Sequence, residues 1–216
     1  MDIEQARFNM VEQQIRTWEV LDQKVLDLLF AVPREKYVPT AWRDMAFTDM
    51  EIPLGHGEAM LQPKLEARMV QELAIKKTDK ILEVGSGSGY MTALLATCGA
   101  FVHSVEMIPE LHAMAKHNLS TNNISNVQLE IGDAALGWKT HSPYDVIVLT
   151  GSTPILAPEF LQQLKTDGRL FAVVGDAPVM KGMLYTAIAN AHSKMELFET
   201  SIKPLTNAPQ PERFKF

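Results

Sequence analysis

The stretch Ile81-Leu82-Glu83-Val84-Gly85-Ser86-Gly87-Ser88-Gly89-Tyr90 decides the fold. A short apolar strand, Lys80 to Val84, runs straight into a glycine-rich turn, and Met91, Leu94 and Leu95 then recur at helical spacing. Glycines at the end of a strand let the backbone approach a ligand at the carboxyl edge of an open sheet. The same alternation continues outward. Strands are expected at Phe101 to Val105, Val127 to Ile131, Asp145 to Leu149 and Gly168 to Val174, with helices over Pro109 to Leu119 and Pro158 to Leu164. Upstream, Leu65, Met69, Val70 and Leu73 make another helix face. Asp145 to Leu149 is nearly all apolar, as a central parallel strand buried on both faces must be. Beyond Gly175, Met183 to Ala189 and Met195 to Ile202 read as a strand pair closing the sheet edge. Strands alternating with helices imply right-handed crossovers, hence an α/β fold with a mostly parallel twisted sheet.

At about 150 residues per domain, 216 residues allow one domain with an extension. The extension lies at the N-terminus. Phe8, Val11 and Ile15 recur at helical spacing, and Val25, Leu28, Leu29 and Val32 form a second stripe that opens near a cap at Asp22 and closes before Pro33. Pro39, Pro53, Gly55 and Gly57 then break any long element, so 38–57 is expected to be a loop or short strands. The chain divides into 1–63, N-terminal helices and a loop packed on the core, and 64–216, the ligand-binding core, in a single globular unit.

Composition removes several classes. With 46% hydrophobic and 21% charged residues and a net charge of -6, the chain is neither disordered nor a basic nucleic-acid binder. Its longest apolar runs, such as Leu28 to Val32, fall far short of the roughly 18 residues of a membrane span. The start Met1-Asp2-Ile3-Glu4 shows no signal peptide, and a single cysteine, Cys98, forbids an internal disulfide. A cytoplasmic protein is expected. His112 and His117, five apart on one helix, do not share a face, so no metal site is expected.

Spacing separates the chemistries that glycine loops serve. A dinucleotide fingerprint needs Gly-x-Gly-x-x-Gly, but here the third glycine arrives one residue early and Tyr90 takes its place. A phosphate loop needs Gly-Lys-Ser or Gly-Lys-Thr, and Gly132 to Gly137 is followed by Trp138. A nucleophile elbow needs a central serine, where this loop has Gly87. What remains, Glu-x-Gly-x-Gly-x-Gly, resembles the first motif of S-adenosylmethionine-dependent methyltransferases. In that resemblance Glu83 holds the cofactor's amino-acid end, directly or through water. Glu106, 21 positions after Gly85, stands where an acid accepts the two ribose hydroxyls, and Gly132-Asp133-Ala134 places Asp133 near the adenine edge. The implied cofactor set is Glu83, Gly85, Ser86, Gly87, Gly89, Glu106, Met107, Asp133 and Ala134.

Nearly the whole chain resembles one family, the protein-L-isoaspartate O-methyltransferases. The likeness runs through Met10-Val11-Glu12-Gln13-Gln14-Ile15, Val32-Pro33-Arg34-Glu35, Asp49-Met50-Glu51-Ile52-Pro53-Leu54-Gly55, Asn126-Val127, Pro143-Tyr144-Asp145, Gly168-Arg169-Leu170 and Pro204-Leu205-Thr206. It implies a Rossmann-like methyltransferase fold and methyl transfer from S-adenosylmethionine to the carboxylate of isoaspartyl residues in damaged proteins, which starts their repair. The partner so implied is a protein or peptide with a free carboxylate, with no nucleic acid and no membrane.

One segment departs from the family. Its substrate loop usually reads Gly-Tyr-Gly-Gln-Thr-Ile-Ser-Gln-Pro, whereas this chain has Gly55-His56-Gly57-Glu58-Ala59-Met60-Leu61-Gln62-Pro63. Gly57, Gln62 and Pro63 match. Ala59 and Leu61 replace the Thr and Ser whose hydroxyls contact the carboxylate and the cofactor, and Met60 stands between them. Leu61 is the catalytic position without its hydroxyl. His56 is the candidate compensation, as an imidazolium beside the loop, and Thr206 keeps the hydroxyl of the late motif. Glu58 places a negative charge where an anion should approach, and Lys64 just beyond is expected to be solvated. Two readings stay open: an isoaspartyl methyltransferase, or a relative that binds the cofactor but methylates another acceptor or no longer catalyses.

Overall fold

The computed structural model describes residues 2–189 and 191–212, so the last four residues assigned to the core, 213–216, lie outside that range. Helix α1, Ile3–Asn9, is capped by Asp2, whose carboxylate accepts from the Gln5 amide at 3.1 Å. It continues as a π-helical turn, Met10–Ile15. The expected face of Phe8, Val11 and Ile15 assumed ordinary α-helical pitch. The wider turn instead sends Met10, Val11 and Ile15 into the core and leaves Phe8 half exposed. Helix α2, Gln23–Ala31, starts at the Asp22 cap and buries Val25, Leu26, Leu28 and Leu29. Within 38–57 the chain forms a 3-10 segment, Thr40–Met45, and the first strand of a small hairpin, β1 (Ile52–Gly55) with β2 (Glu58–Met60). Helix α3, Pro63–Leu73, begins on proline, which needs no amide partner there.

Among the described residues the main sheet has seven strands: β3 (Lys80–Val84), β4 (Phe101–Glu106), β5 (Val127–Ile131), β6 (Tyr144–Thr153), β7 (Leu164–Asp176), β8 (Val179–Ile188) and β9 (Ala191–Thr200). Their order is β5-β4-β3-β6-β7-β8-β9, with the first five parallel and the last two antiparallel. Helices α4 (Tyr90–Cys98), α5 (Pro109–Thr121) and α6 (Pro158–Gln162) connect the parallel strands. Helix α6 stops earlier than expected because Leu164 already pairs with Tyr144 in the sheet.

Alternation along the central strands divides the core in two. Ile81, Val102, Val146, Val148, Phe171 and Val173 face one cluster with the N-terminal residues and α3, α4 and α5. Leu82, Val84, Val105, Ile147, Leu149, Leu170 and Ala172 face the other, with Phe160 of α6 and Tyr144. Each fully buried aliphatic side chain contributes about 1.5–3 kcal/mol, and a one-residue slip would exchange the two faces, so the register is strongly held. The N-terminal segment shares the first cluster with the sheet. From β3 the chain winds outward through β4 and β5, then returns to place β6 on the other side of β3. Ligands of open α/β sheets bind at the carboxyl ends of strands at such a reversal.

Candidate active site

A cavity opens at that reversal, lined from the glycine loop by Val84 to Ser88, from β4 by Glu106 and Met107, from β5 by Gly132 to Ala135, and from β6 by Thr150 and Gly151. The hairpin contributes Gly57, Glu58, Ala59, Met60 and Leu61 to its other wall. Gly85 has a φ of +95°, and a Cβ there would stand 2.4 Å from the Thr150 hydroxyl. Glycine at this position thus satisfies both a left-handed backbone and a close approach. Thr150 Oγ1 lies 2.8 Å from the carbonyl oxygens of both Val84 and Gly85, tying the loop to β6.

Glu106 is buried at the end of β4. Its two carboxylate oxygens accept from the amides of Gly87 at 2.9 Å and Ile108 at 3.0 Å. Each oxygen keeps a further lone pair for a hydroxyl in the cavity. Asp133 accepts from the Ala135 amide at 3.0 Å and the Asn207 side-chain amide at 2.8 Å, and Ala134 is buried beside it. Ser86 and Ser104 share a 2.5 Å hydroxyl contact beneath the loop, while Met107 is partly exposed on the cavity wall. Gly89 begins α4 and packs against Ala115 of α5 rather than lining the cavity.

Glu83 is placed differently from an open cavity wall. It is fully buried under the loop, where one carboxylate oxygen accepts from Thr92 and Ser104 at 2.5 Å each. Its other oxygen, Oε1, has no hydrogen-bond partner among the described residues. Burial outweighs the two hydroxyl donors and pushes the carboxyl up to about 8.

In the hairpin, His56 and Gly57 both have positive φ, 55° and 76°, as a tight two-residue turn requires. His56 is exposed at this tip and is not among the residues lining the cavity. Gln62 precedes the first turn of α3 and likewise stays outside the lining, whereas Ala59, Met60, Leu61 and Thr206 face in. The negative charge expected from Glu58 is neutralised: Lys203 pairs with its carboxylate and donates to the Gly57 carbonyl at 3.0 Å. Lys64 is not simply solvated, since it pairs with Asp49 at 2.6 Å and lies 5.4 Å from the Trp18 ring centroid.

Sequence reasoning missed Lys203 because its partner lies 145 residues away. The C-terminal segment reaches the cavity along the end of β6, where the Ser152 amide donates to Lys203 and the Leu205 amide donates to Ser152. A Cβ on Gly151 would meet Leu205 at 2.8 Å, so this glycine makes room for the segment. Also missed was a buried ion pair below the hairpin. Arg34 pairs with Glu66, donates to the carbonyls of Leu61 at 2.6 Å and Ala46 at 3.0 Å, and lies 5.0 Å from the Tyr90 ring centroid. Glu66 and Tyr90 both line the cavity, and the Tyr90 hydroxyl has no hydrogen-bond partner among the described residues.

Residues 5–206 match the family described as Protein-L-isoaspartate(D-aspartate) O-methyltransferase (PCMT). This chain belongs to that family. Membership makes it an S-adenosylmethionine-dependent O-methyltransferase. Among similar members, the protein-L-isoaspartate O-methyltransferase of Syntrophotalea carbinolica is 34% identical over 207 residues, covering 95% of each chain. Protein-L-isoaspartate O-methyltransferase 2 of Anaeromyxobacter sp. is 38% identical over 167 residues, 77% of this chain and 69% of that one. The fold agrees with a solved beta-aspartate methyltransferase (PCMT) from Plasmodium falciparum in complex with S-adenosyl-L-homocysteine: the TM-score is 0.78 at 20% identity, covering 92% of this chain and 97% of that one.

Proposed function

We infer that this methyltransferase carries the methyl group of S-adenosylmethionine to the carboxylate of isoaspartyl residues in damaged proteins. The observation that carries the reading is one cavity bounded on one side by the glycine loop, Glu106 and Asp133 and on the other by the hairpin. The residues suit the cofactor: Glu106 keeps acceptor capacity for paired hydroxyls, and Asp133 and Ala134 line the cavity at the next strand end. Glu106, Asp133 and Ala134 would hold it, while Glu83, buried outside the cavity lining, supports the glycine loop from beneath through Ser104 and Ser86. When bound, the cofactor supplies a methyl group already activated on a sulfonium.

The chain then has little acid–base work to do. A carboxylate with a reference pKa of about 3.3–3.9 is ionised at pH 7, so no general base is needed. Orientation in the cavity can contribute on the order of 7–11 kcal/mol. Lys203, held against the hairpin by Glu58 and the Gly57 carbonyl, cancels the negative charge that Glu58 would otherwise present at the rim where an anionic peptide enters. A cytoplasmic setting accords with a single cysteine, and a net charge of -6 disfavours non-specific attraction to nucleic acid. Among the described residues, no helix is long and apolar enough to cross a membrane.

Purified protein with labelled S-adenosylmethionine is expected to label an isoaspartyl peptide and not its aspartyl counterpart. Labelling equal to a no-enzyme control would overturn this substrate. It would favour a different acceptor, the reading that Ala59 and Leu61 support, and methylated products in a protein extract would then identify it.

The hairpin gives a second expected outcome. Restoring the hydroxyls with Ala59→Thr and Leu61→Ser is expected to raise kcat/KM on isoaspartyl peptides about ten- to hundredfold, since a hydrogen bond to a charged group contributes about 1.5–3 kcal/mol. Ala59 is exposed in the cavity and accepts a larger side chain, whereas Leu61 is buried and its truncation costs about 2 kcal/mol or more of stability. Activity is therefore compared well below the melting temperature. No gain in a folded double variant would mean that these positions do not face the acceptor.

A further inference from the structure

On the sheet face away from α4 and α5, His103 of β4, Glu130 of β5 and His141, which closes the 3-10 turn Lys139–His141, converge. One ligand atom from each lies within 4.8 Å of the others. His103 Nδ1, Glu130 Oε1 and His141 Nε2 are all buried, and among the described residues none makes an aligned hydrogen bond, although His141 Nε2 and Glu130 Oε1 approach to 2.9 Å. The two imidazole rings stack, with centroids 4.0 Å apart and planes 15° from parallel.

We propose that His103, Glu130 and His141 form a binding site for a divalent transition-metal ion, zinc in particular. Tetrahedral zinc with bonds of about 2.0–2.1 Å spaces its ligand atoms about 3.3 Å apart. Here the separations from Glu130 Oε1 are 2.9 Å to His141 Nε2 and 3.9 Å to His103 Nδ1, which bracket that spacing. Two imidazole nitrogens and one carboxylate oxygen suit zinc and its neighbours in the transition series. Magnesium and calcium favour oxygen alone. Nearby Lys80 is engaged with the His141 carbonyl at 2.7 Å.

A simple His141–Glu130 ion pair would leave the His103 nitrogen buried and unpaired, whereas a bound ion satisfies all three atoms at once. The side chain of His141 is 26% exposed, which gives the ion an entry side and room for a water as fourth ligand. The site would be structural. It would bolt β4 and β5 to the segment 132–141, whose first residues, including Asp133 and Ala134, line the cavity. The sequence shows no metal spacing because the three ligands come from separate elements, and the pair it does offer, His112 and His117, is not part of the cluster.

The test is calorimetric titration of untagged, metal-free protein with zinc chloride, with cobalt chloride followed by absorption. The expected result is one zinc per chain with a Kd of about 10 μM or tighter, together with the visible bands of tetrahedral cobalt. His141→Ala and Glu130→Gln should each weaken binding at least about hundredfold, while His112→Ala leaves it unchanged. His141 sits on a turn, so its variant keeps the fold, which circular dichroism checks. Binding weaker than about 10 μM, or affinity unchanged by His141→Ala, overturns the proposal.

Discussion

Arg34→Met is expected to lower the stability of the fold by about 3–5 kcal/mol, the usual cost of leaving one partner of a buried ion pair without its counter-charge. Arg34 is wholly buried and Glu66 is 2% exposed, so neither reaches bulk water. Burial pushes the Glu66 carboxyl above its ordinary range, and the Arg34 guanidinium opposes that rise. Methionine keeps the approximate length of the side chain but removes the charge and every donor. Glu66 is then stranded, and the carbonyls of Leu61 and Ala46 lose their donor as well. For a chain of 216 residues the melting temperature should fall by about 6–20 °C. Arg34→Met combined with Glu66→Leu should recover most of that loss, because an apolar pair carries no desolvation cost. Thermal unfolding by circular dichroism checks both. An unchanged melting temperature in the single variant would show that water reaches the pair. The single variant should also raise KM for peptide substrate at temperatures where it remains folded, since Arg34 anchors the Leu61 carbonyl and with it the end of the hairpin.

Glu106→Ala is expected to weaken S-adenosylhomocysteine binding by about 1–3 kcal/mol, roughly five- to 150-fold. The carboxylate has two tasks at once. It orders the loop by accepting from Gly87 and the next turn by accepting from Ile108, and its remaining lone pairs face the cavity. Alanine removes both. Glu106→Gln is not a mild change here, because an amide nitrogen must then meet one of two backbone N–H donors. Both variants should therefore lose affinity, and the glutamine variant should lose it without emptying the space. Calorimetry with S-adenosylhomocysteine reads the effect directly. Unchanged affinity in the alanine variant would move the hydroxyl contact to another residue.

Much of this was legible in residues alone, for reasons that are local. Strand Lys80–Val84 begins and ends where its apolar run does because a buried parallel strand tolerates few polar positions, and the edge strand Val127–Ile131 keeps its expected bounds through apolar-polar alternation between turn residues. Asp22 caps α2 as its position before the stripe implied. Glu106 and Asp133 stand at adjacent strand ends because parallel crossovers deliver consecutive strands to the same edge. Where a local rule was outweighed, the cause was tertiary. Phe8 turned outward because a π-helical turn changed the pitch, and His56 fell outside the cavity because a tight turn needs its backbone, not its imidazole.

By itself, then, the sequence determined the α/β core, the glycine loop and the acids that follow each strand, since all of these depend on periodicity and spacing within about 30 residues. Only the tertiary structure decided which distant charges meet: Lys203 with Glu58, Arg34 with Glu66, and His103 with Glu130 and His141. The physical reason is that these pairings arise when strand order and chain crossings bring separate elements together, and a buried or cavity-facing charge takes its partner from space rather than from neighbouring residues.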